Sequence, residues 1–423
     1  MKIVLLSIGT RGDMEPFLAI AEMLRDKGHR VVCAFPEQFA DLVAEANLEF
    51  ASLGTGFIDM LESDVGKTAL GGKGAGWRKW RANLKLARQS TAINRELVCR
   101  QREIVEDEDP DRVIYNGKAV YPVIWGLAHR GQTILISPVP YVHRTKDHAH
   151  VAFNGDFGPF LNKLTYSLAN FGMVVTVKIT ARWLKLRRRI GCKEIRHALL
   201  TNRSVYTISP CLFPKPVDWH RNIEVLGYHG RSQRIRRPES ADLEGFLHRH
   251  RNDRILFITF GSMTNPEPEA KTGIILDILG RHKIPAVINT AAGGLVKPDR
   301  FDSDFVCFVS QVPYDWIFPR VYGVIHHGGS GTTHLALRHG CATMVVPHVI
   351  DQFIWNGVIH GVGAGPRGIR IGRITSKNLE PKVLELIHDA SFKRRAEDLA
   401  RRMAREDFEE ELMQTIEEEN HGV

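Results

Sequence analysis

The sequence contains few cysteines and no long apolar run, and these two absences exclude several classes of protein. Its six cysteines form no Cys-x-x-Cys pair and match no zinc-ligand spacing, which favours a reduced, intracellular protein. No stretch approaches the roughly 18 apolar residues of a membrane-spanning helix, and the apolar segment after Lys2 is too short for a signal peptide. We therefore expect a cytoplasmic protein that is not integral to a membrane.

Two nucleotide-binding signatures are also missing. A dinucleotide-binding dehydrogenase needs Gly-x-Gly-x-x-Gly after its first strand, and the segment Gly9-Thr10-Arg11-Gly12 does not supply it. A Walker loop ending at Gly66-Lys67-Thr68 would need its first glycine at the position of Leu61. The sequence thus disfavours a dehydrogenase and excludes a Walker-type phosphate loop here.

The length and patterning of the chain predict two α/β domains. The 423 residues, 43% hydrophobic and 25% charged, are typical of a soluble protein with more than one core. Apolar strands alternate with helical patterns in both halves, which indicates parallel sheets. Strands are expected at Ile3–Ile8, His29–Phe35, Asp111–Tyr115, Thr133–Ser137, Ile255–Phe260, Ala286–Asn289, Phe305–Val309, Val321–His326 and Thr343–Val346. The expected division is a first domain over 1–227, a linker over 228–240, a second domain over 241–395 and a C-terminal helix over 396–423 that could pack back on the first domain.

The segment from Val324 to Gly340 carries the strongest ligand signal. An apolar strand runs into a glycine-rich turn after His327, and a helix is expected to begin near Thr332. Glycines let the backbone approach a ligand closely, and a helix start offers free N–H groups and a positive dipole end, which suit a diphosphate. An ordinary strand–turn–helix junction would show the same pattern, so this segment alone does not decide between the two.

Asp351 and Gln352 follow the next predicted strand. Ligands of open α/β sheets bind outside the carboxyl ends of the strands, so this carboxylate and this amide are candidates for holding sugar hydroxyls. A role for Asp351 as a helix N-cap is the structural alternative.

Four segments occur together in this chain: Gly9–Phe17, Gln311–Phe318, His326–Thr333 and Val345–Gln352. In order and spacing they resemble family 1 glycosyltransferases, and within them the sterol and lipid glucosyltransferases and the bacterial natural-product enzymes. The resemblance implies the GT-B fold, with two facing Rossmann-like domains, parallel sheets and a cleft between them. It also implies transfer of a sugar from a nucleotide diphosphate donor without a metal or other cofactor.

The resemblance implies a donor site in the second half of the chain. The backbone near Gln311 and Val312 would hold the nucleobase, and Asp351 and Gln352 the sugar. The other donor-binding residues would be Gly12, Gly261, Ser262, His327, Gly329, Ser330, Gly331 and Thr332. Plant members stack the base on a tryptophan where this chain has Val309-Ser310. The donor is therefore open between a UDP-sugar, with UDP-glucose favoured, and a dTDP-deoxysugar of the rhamnose type.

Asp13 is the candidate catalytic base. In the resembling bacterial and sterol enzymes an aspartate at this place deprotonates the acceptor hydroxyl, and a helix N-terminus favours the ionised carboxylate that this needs. The reaction would be a direct displacement that inverts the anomeric carbon. By position alone, Asp13 would be an N-cap with Arg11 as its local partner.

The acceptor is expected to be a small hydrophobic molecule: a lipid, a sterol or a phenolic natural product. Candidate acceptor-binding residues are Trp77, Trp80, Pro140, Tyr141 and His143. The acidic segment Asp302-Ser303-Asp304 has the form of a metal-binding DxD motif, but it precedes a strand, so we expect a solvated loop and no metal site.

The net charge of +9 is concentrated in two basic stretches, Lys73–Arg102 and Lys178–Arg203. The second mixes Trp183, Leu184 and Leu186 with cations, which is typical of peripheral contact with an anionic membrane, here the inner face, or of a solvated helix face. No nucleic-acid reader motif is present, so we expect no nucleic-acid partner.

Two rival functions stay open at this point. A nucleotide-sugar epimerase would consume the donor without an acceptor. A noncatalytic partner protein would bind a nucleotide sugar without turning it over.

Overall fold

The computed structural model describes residues 1–62, 76–231, 240–261, 263, 265, 267–291 and 293–418, with backbone only for 61, 62 and 76–90. The chain divides into two compact units, Met1–Ser232 with Asp407–Val423, and Gln233–Glu406. Most of the expected linker, residues 232–239, lies outside the described residues. The second unit extends to residue 406, beyond the expected 395, because a further helix packs within it.

The first unit is built on a parallel sheet with the strand order β3-β2-β1-β4-β5-β6-β7. Its strands are β1 (Lys2–Leu6), β2 (Arg30–Phe35), β3 (Glu49–Ser52), β4 (Arg112–Tyr115), β5 (Thr133–Ser137), β6 (Arg203–Tyr206) and β7 (Ile223–Val225). Its helices are α1 (Arg11–Asp26), α2 (Ala40–Glu45), α3 (Gly56–Glu62), α4 (Gly76–Glu108), α5 (Tyr121–Trp125), α6 (Pro159–Trp183), α7 (Cys192–Thr201) and, from the C-terminal segment, α15 (Glu409–Glu417).

The second unit repeats this topology with the order β10-β9-β8-β11-β12, again all parallel. Its strands are β8 (Leu256–Thr259), β9 (Ala286–Asn289), β10 (Val306–Val309), β11 (Gly323–His326) and β12 (Ala342–Val345). Its helices are α8 (Ala241–Arg249), α9 (Pro268–His282), α10 (Tyr314–Ile317), α11 (Ser330–Arg338), α12 (Gln352–Gly361), α13 (Ser376–His388) and α14 (Ala390–Met403).

Apolar strands explain why both sheets are parallel and covered on two faces. In β1, Val4 and Leu6 join one buried cluster, whereas Ile3 and Leu5 join another. Successive side chains of a strand point to opposite faces, so this division means that helices cover both sides of the sheet. The same alternation divides β8 of the second unit. The expected fold class, two Rossmann-like domains with parallel sheets, is confirmed.

The C-terminal helix α15 belongs to the first unit. Its Leu412, Met413 and Ile416 are buried in the core cluster that also contains Ile3 and Leu5. Two buried guanidinium groups cover the carbonyls at its end: Arg112 donates to Ile416 O (3.2 Å) and Glu418 O (3.1 Å), and Arg203 donates to Thr415 O and Glu418 O. Cations at a helix C-terminus satisfy its last carbonyls and complement its dipole.

The strand order reverses next to the first strand of each sheet, between β1 and β4 and between β8 and β11. Loops that leave the carboxyl ends of these strand pairs form the usual ligand site of an open α/β sheet. Among the described helices, none combines the length and apolarity needed to cross a bilayer.

Candidate active site

In the first unit, the loop after β1 places Asp13 in the first turn of α1. Thr10 is the N-cap residue, and its backbone N–H donates to Oδ2 of Asp13 (2.8 Å). The sequence suggested Arg11 as the local partner of Asp13. This was wrong, because Arg11 pairs with Glu15 (2.8 Å). Asp13 is not the N-cap: it is the third residue of the helix (N3). Its carboxylate accepts from the N–H of Thr10, as in a capping box.

Lys118 is the ionic partner of Asp13. Its Nζ lies 2.7 Å from Oδ1 of Asp13, and both side chains are partly exposed. Lys118 follows β4, so the pair joins the two loops at the point where the strand order reverses. The ammonium helps to fix the direction of the carboxylate, whose remaining lone pairs can accept a hydrogen bond from a substrate hydroxyl.

A buried network supports this pair from below. Asn116 donates to Ser7 Oγ (3.0 Å) and to Ile8 O (2.8 Å), and Ser7 Oγ donates to the backbone carbonyl of Asp13 (3.0 Å). Gly9 makes the close packing possible: with φ at +143°, a Cβ there would lie 2.0 Å from Asp13 Oδ2 and 2.6 Å from Lys118 Nζ. The carboxylate thus rests directly against the glycine.

Tyr141, one of the sequence-predicted acceptor residues, packs close to this pair. A Cβ on Gly117, between Asn116 and Lys118, would lie 2.4 Å from its ring, so the ring packs directly on that backbone. Pro140 is buried next to it, and its carbonyl accepts from the hydroxyl of Tyr166 (3.3 Å). The side chains of Trp77 and Trp80 lie outside the described residues.

His143 has a packing role in the structure. It is 4% exposed, and its Nδ1 lies 2.7 Å from the hydroxyl of Tyr206. Burial lowers the pKa of His143 to about 4 and that of His150 to about 4. It also lowers the pKa of His148. These three neutral rings stiffen the loop between β5 and α6 that carries Tyr141.

In the second unit, a glycine-rich turn joins β11 to the start of α11. Helix α11 begins at Ser330, two residues earlier than expected, with Gly329 as its N-cap. The first backbone N–H directed to a carbonyl of this turn is that of Thr333, which donates to Gly329 O (3.0 Å). The N–H groups of Ser330, Gly331 and Thr332 precede it in the first turn, where a helix has no acceptor of its own.

His327 fills the space between two glycines of this turn. A Cβ on Gly261 would lie 2.8 Å from its Cε1, and a Cβ on Gly329 would lie 2.6 Å from its Nε2. Burial lowers the pKa of His327 well below its usual value, and His326 and His348 lower it further. His327 is therefore neutral at physiological pH in the ligand-free protein, and a neutral imidazole carries one N–H that can donate a hydrogen bond.

Asp351 and Gln352 begin α12 at the same edge of the sheet. Asp351 occupies the N-cap position without a side-chain capping bond. Gln352 is buried, and its Oε1 accepts from the N–H groups of His348 (2.7 Å) and Val349 (3.1 Å), so its carbonyl holds the preceding loop. A ligand would have to use its NH2 group instead.

The remaining donor candidates divide between the two units. Gln311 is exposed and Val312 is buried after β10, on the same carboxyl edge as His327. Gly12 lies in the first turn of α1 in the first unit. Ser262 lies outside the described residues. The predicted roles of these residues and of the diphosphate-binding set stay predictions.

The acidic segment at Asp302 and Asp304 lies before β10, at the opposite edge of the sheet from His327. Asp302 Oδ1 accepts from the N–H of Asp304 (3.0 Å), as in a local turn. Within the described residues, no cluster of His, Cys, Asp or Glu side chains has the arrangement of a metal site.

Comparisons with known proteins identify the two halves separately. Residues 3–125 match the glycosyltransferase family 28 N-terminal domain, and residues 299–419 match the erythromycin biosynthesis protein CIII-like, C-terminal domain. The chain is 31% identical to sterol 3-beta-glucosyltransferase UGT80A2 of Arabidopsis thaliana, over 96% of this chain and 64% of that protein. It is 24% identical to the sterol 3-beta-glucosyltransferase of Saccharomyces cerevisiae (strain YJM789), over 96% of this chain and 34% of that protein. The chain thus spans about two thirds of the length of the plant relative and about one third of the yeast one.

Solved structures show the same fold. The calicheamicin glycosyltransferase CalG4 superimposes with a TM-score of 0.70 at 15% identity, covering 100% of this chain and 98% of that one. The glycotransferase of kitacinnamycin gives a TM-score of 0.66 at 18% identity, covering 98% and 99%. The N-terminal domain match, the sterol glucosyltransferase relatives and the solved structures agree: this chain has the GT-B fold and is similar to the sterol and natural-product glycosyltransferases.

Proposed function

We propose that this protein is an inverting hexosyltransferase that moves a sugar from a UDP-sugar, with UDP-glucose preferred, to a hydroxyl of a small hydrophobic acceptor. The observation that carries the proposal is that each sheet places suitable chemistry at its strand-order reversal. The first has the Asp13–Lys118 pair, and the second has the glycine turn with neutral His327 at the start of α11. The names of the relatives support a sterol, or a molecule of similar polarity, as the acceptor.

In the proposed reaction, the acceptor oxygen attacks the anomeric carbon while its proton passes to the carboxylate of Asp13. A bond forms between that oxygen and the carbon, and the bond from the carbon to the diphosphate breaks, so the nucleoside diphosphate leaves with the electron pair. The N–H groups at the start of α11 and the ring N–H of His327 stabilise the charge that grows on it. The reaction requires the acceptor oxygen beside Asp13 to meet a donor held by the second unit.

The donor sugar and base are the finer part of the proposal. The glucosyltransferase relatives favour UDP-glucose. Two solved structures of similar fold contain thymidine diphosphate (dTDP), so a dTDP-deoxysugar is the second candidate. We propose transfer without a metal ion, because the acidic segment at Asp302 lies at the other edge of the sheet.

A donor panel followed by product analysis tests this proposal. Thermal shift should show stabilisation by UDP and UDP-glucose, and mass spectrometry should show glycosylated product with a sterol, a hydroxy-lipid or a phenol. NMR of the product should show inverted configuration at the anomeric carbon. Donor conversion without any acceptor would instead identify an epimerase, and tight donor binding without turnover would identify a noncatalytic partner protein. The proposed location is the cytoplasm, and fractionation of cells that express the tagged protein tests it.

A further inference from the structure

Helix α6 buries several polar side chains and exposes a row of large apolar ones, unlike an ordinary amphipathic helix. Its side chains toward the protein include the polar residues Asn162, Thr165 and Asn170, all buried. Its solvent face carries a stripe of large apolar side chains, with Phe160 81% exposed and Phe171 69% exposed. The apolar stripe consists of Phe160, Leu164, Leu168, Phe171, Val175 and Ile179.

The polar side of α6 is fixed by specific hydrogen bonds, so this orientation is built into the fold. Asn162 donates to Lys146 O (2.9 Å) and Asn170 donates to Val142 O (2.9 Å). The backbone N–H of His150 donates to Thr165 Oγ1 (2.9 Å). A rotation that buried the apolar stripe would leave these groups without partners in the interior, which is costly.

The spacing of the stripe makes it a continuous surface. Its members recur every three or four residues, which places them on one face of the helix, and the 20 residues from Phe160 to Ile179 extend about 30 Å. A patch of this kind is uncommon on the free surface of a protein and marks an interaction site. A flat, elongated apolar strip suits a lipid interface better than the concave pocket that a small molecule needs.

The charges around the stripe select the kind of surface. Helix α6 contains no Asp or Glu, and an exposed run of cations begins in its last turn and continues beyond it. The run comprises Arg182, Lys185, Arg187, Arg188, Arg189, Lys193 and Arg196, with Glu194 as the only acidic residue among them. An anionic membrane complements these charges.

We infer that α6 lies in the interface of an anionic membrane, with the apolar stripe inserted among the acyl chains and the cations of 182–196 against the lipid headgroups. This inference does not rest on the proposed sugar transfer. The sequence placed the expected membrane contact in the basic stretch Lys178–Arg203. The structure assigns it chiefly to α6, and the cations add electrostatic attraction.

Vesicle co-sedimentation of the full chain tests the inference. Vesicles of phosphatidylcholine with phosphatidylglycerol should bind the protein, and those of phosphatidylcholine alone should bind it at least tenfold more weakly. The double variant Phe160→Glu/Phe171→Glu should lose at least tenfold in binding to the anionic vesicles. Val217→Glu is the control, because Val217 is a fully exposed apolar residue elsewhere in the same unit. Circular dichroism verifies that each variant is folded.

A matched pair of charge variants separates the two parts of the interaction. Arg187→Gln/Arg189→Gln should weaken binding severalfold, whereas Arg401→Gln/Arg402→Gln, with the same change in net charge on exposed residues of α14, should leave it unchanged. Undiminished vesicle binding by Phe160→Glu/Phe171→Glu would overturn the inference. Light scattering that shows a dimer in the parent and a monomer in this variant would also overturn it, because the stripe would then bind a second copy. The readout needs no sugar transfer, so its failure is distinct from failure of the proposed function.

Discussion

Nζ of Lys118, in the loop after β4, lies 2.7 Å from Oδ1 of Asp13, in the first turn after β1, and the contact spans the strand-order reversal of the first sheet. The carboxylate of Asp13 lies against Gly9. The ring of Tyr141 packs on Gly117, the residue before Lys118. Lys118 and the backbone N–H of Thr10 together hold the carboxylate of the proposed base, and the first two predictions concern Asp13 and Lys118.

Replacing Asp13 should abolish transfer while leaving the donor bound. In Asp13→Asn the proton acceptor is lost, and general base catalysis contributes about 10²- to 10⁴-fold. We expect kcat to fall by that range and the thermal shift caused by UDP to be retained. Asp26→Asn, an exposed change in the same helix, is the control. Full transfer by Asp13→Asn would remove this residue from the mechanism.

Lys118 should act as a positioning residue. Lys118→Met leaves the carboxylate of Asp13 without its ionic partner, and we expect kcat to fall by about tenfold or more with little change in the KM for donor. Lys118→Arg should restore part of the rate because it keeps the charge. Lys163→Met, which removes an exposed ion pair with Asp218, should keep the parental rate. An equal fall in kcat for both methionine variants would argue for a general effect on folding.

Gly261→Ala should weaken donor binding. The new Cβ would lie 2.8 Å from Cε1 of His327, and the backbone at φ +56° disfavours a side chain. We expect a loss of about 1 kcal/mol of stability and a smaller thermal shift with UDP. Gly273→Ala in α9 is the matched control, because its Cβ would meet nothing within 4 Å. A normal UDP response in Gly261→Ala would separate His327 from the donor site.

Stability should fall between about pH 6.5 and pH 4. Burial lowers the pKa of His326 to about 3, and burial lowers the pKa of His334 and His348 to about 4. The unfolded chain then binds more protons in this window, so acid favours unfolding, by up to about 1.4 kcal/mol per pH unit for each histidine. Urea midpoints measured from pH 7.5 to pH 4.5 check this. His334→Gln should flatten the slope, while His197→Gln, an exposed residue, should not.

The C-terminal helix α15 should open more readily when Arg112, which bonds the carbonyls at its end, is replaced. Arg112→Ala deletes two hydrogen bonds at the end of α15: Ile416 O loses this buried donor, whereas Glu418 O keeps Arg203 as a donor. We expect a loss of about 2–4 kcal/mol and faster hydrogen exchange over 409–417. Arg30→Ala removes an exposed ion pair with Glu49 and should leave the exchange over 409–417 unchanged. Unchanged exchange in Arg112→Ala would show that apolar burial alone holds the helix.

Sequence patterns predicted the elements whose signal is continuous apolarity. Strands β1, β2, β4 and β5, and all five of the second sheet, fall within a residue or two of their expected bounds. Strands β3, β6 and β7 were missed because they are short and carry Glu49, Arg203 and Glu224. Pairing with a neighbouring strand, which a single sequence does not display, is what makes them strands.

The site residues divide in the same way. The glycine turn and Asp13 could be proposed as site candidates because glycines and a carboxylate at strand ends are visible in the sequence. Lys118 could not, because its importance depends on β4 lying beside β1, over a hundred residues away. The rule that ligands bind at a strand-order reversal would have pointed to the loop after β4 once that order was known.

Because α15 completes the apolar core of the first unit, the polypeptide leaves that unit near residue 232 and re-enters it near 407. A fragment that stops before the second unit would expose the surface that Leu412 and Ile416 occupy. Chimeras designed to exchange donor preference should therefore graft 233–406 as a cassette spliced at both ends, and keep the native tail with its own first half.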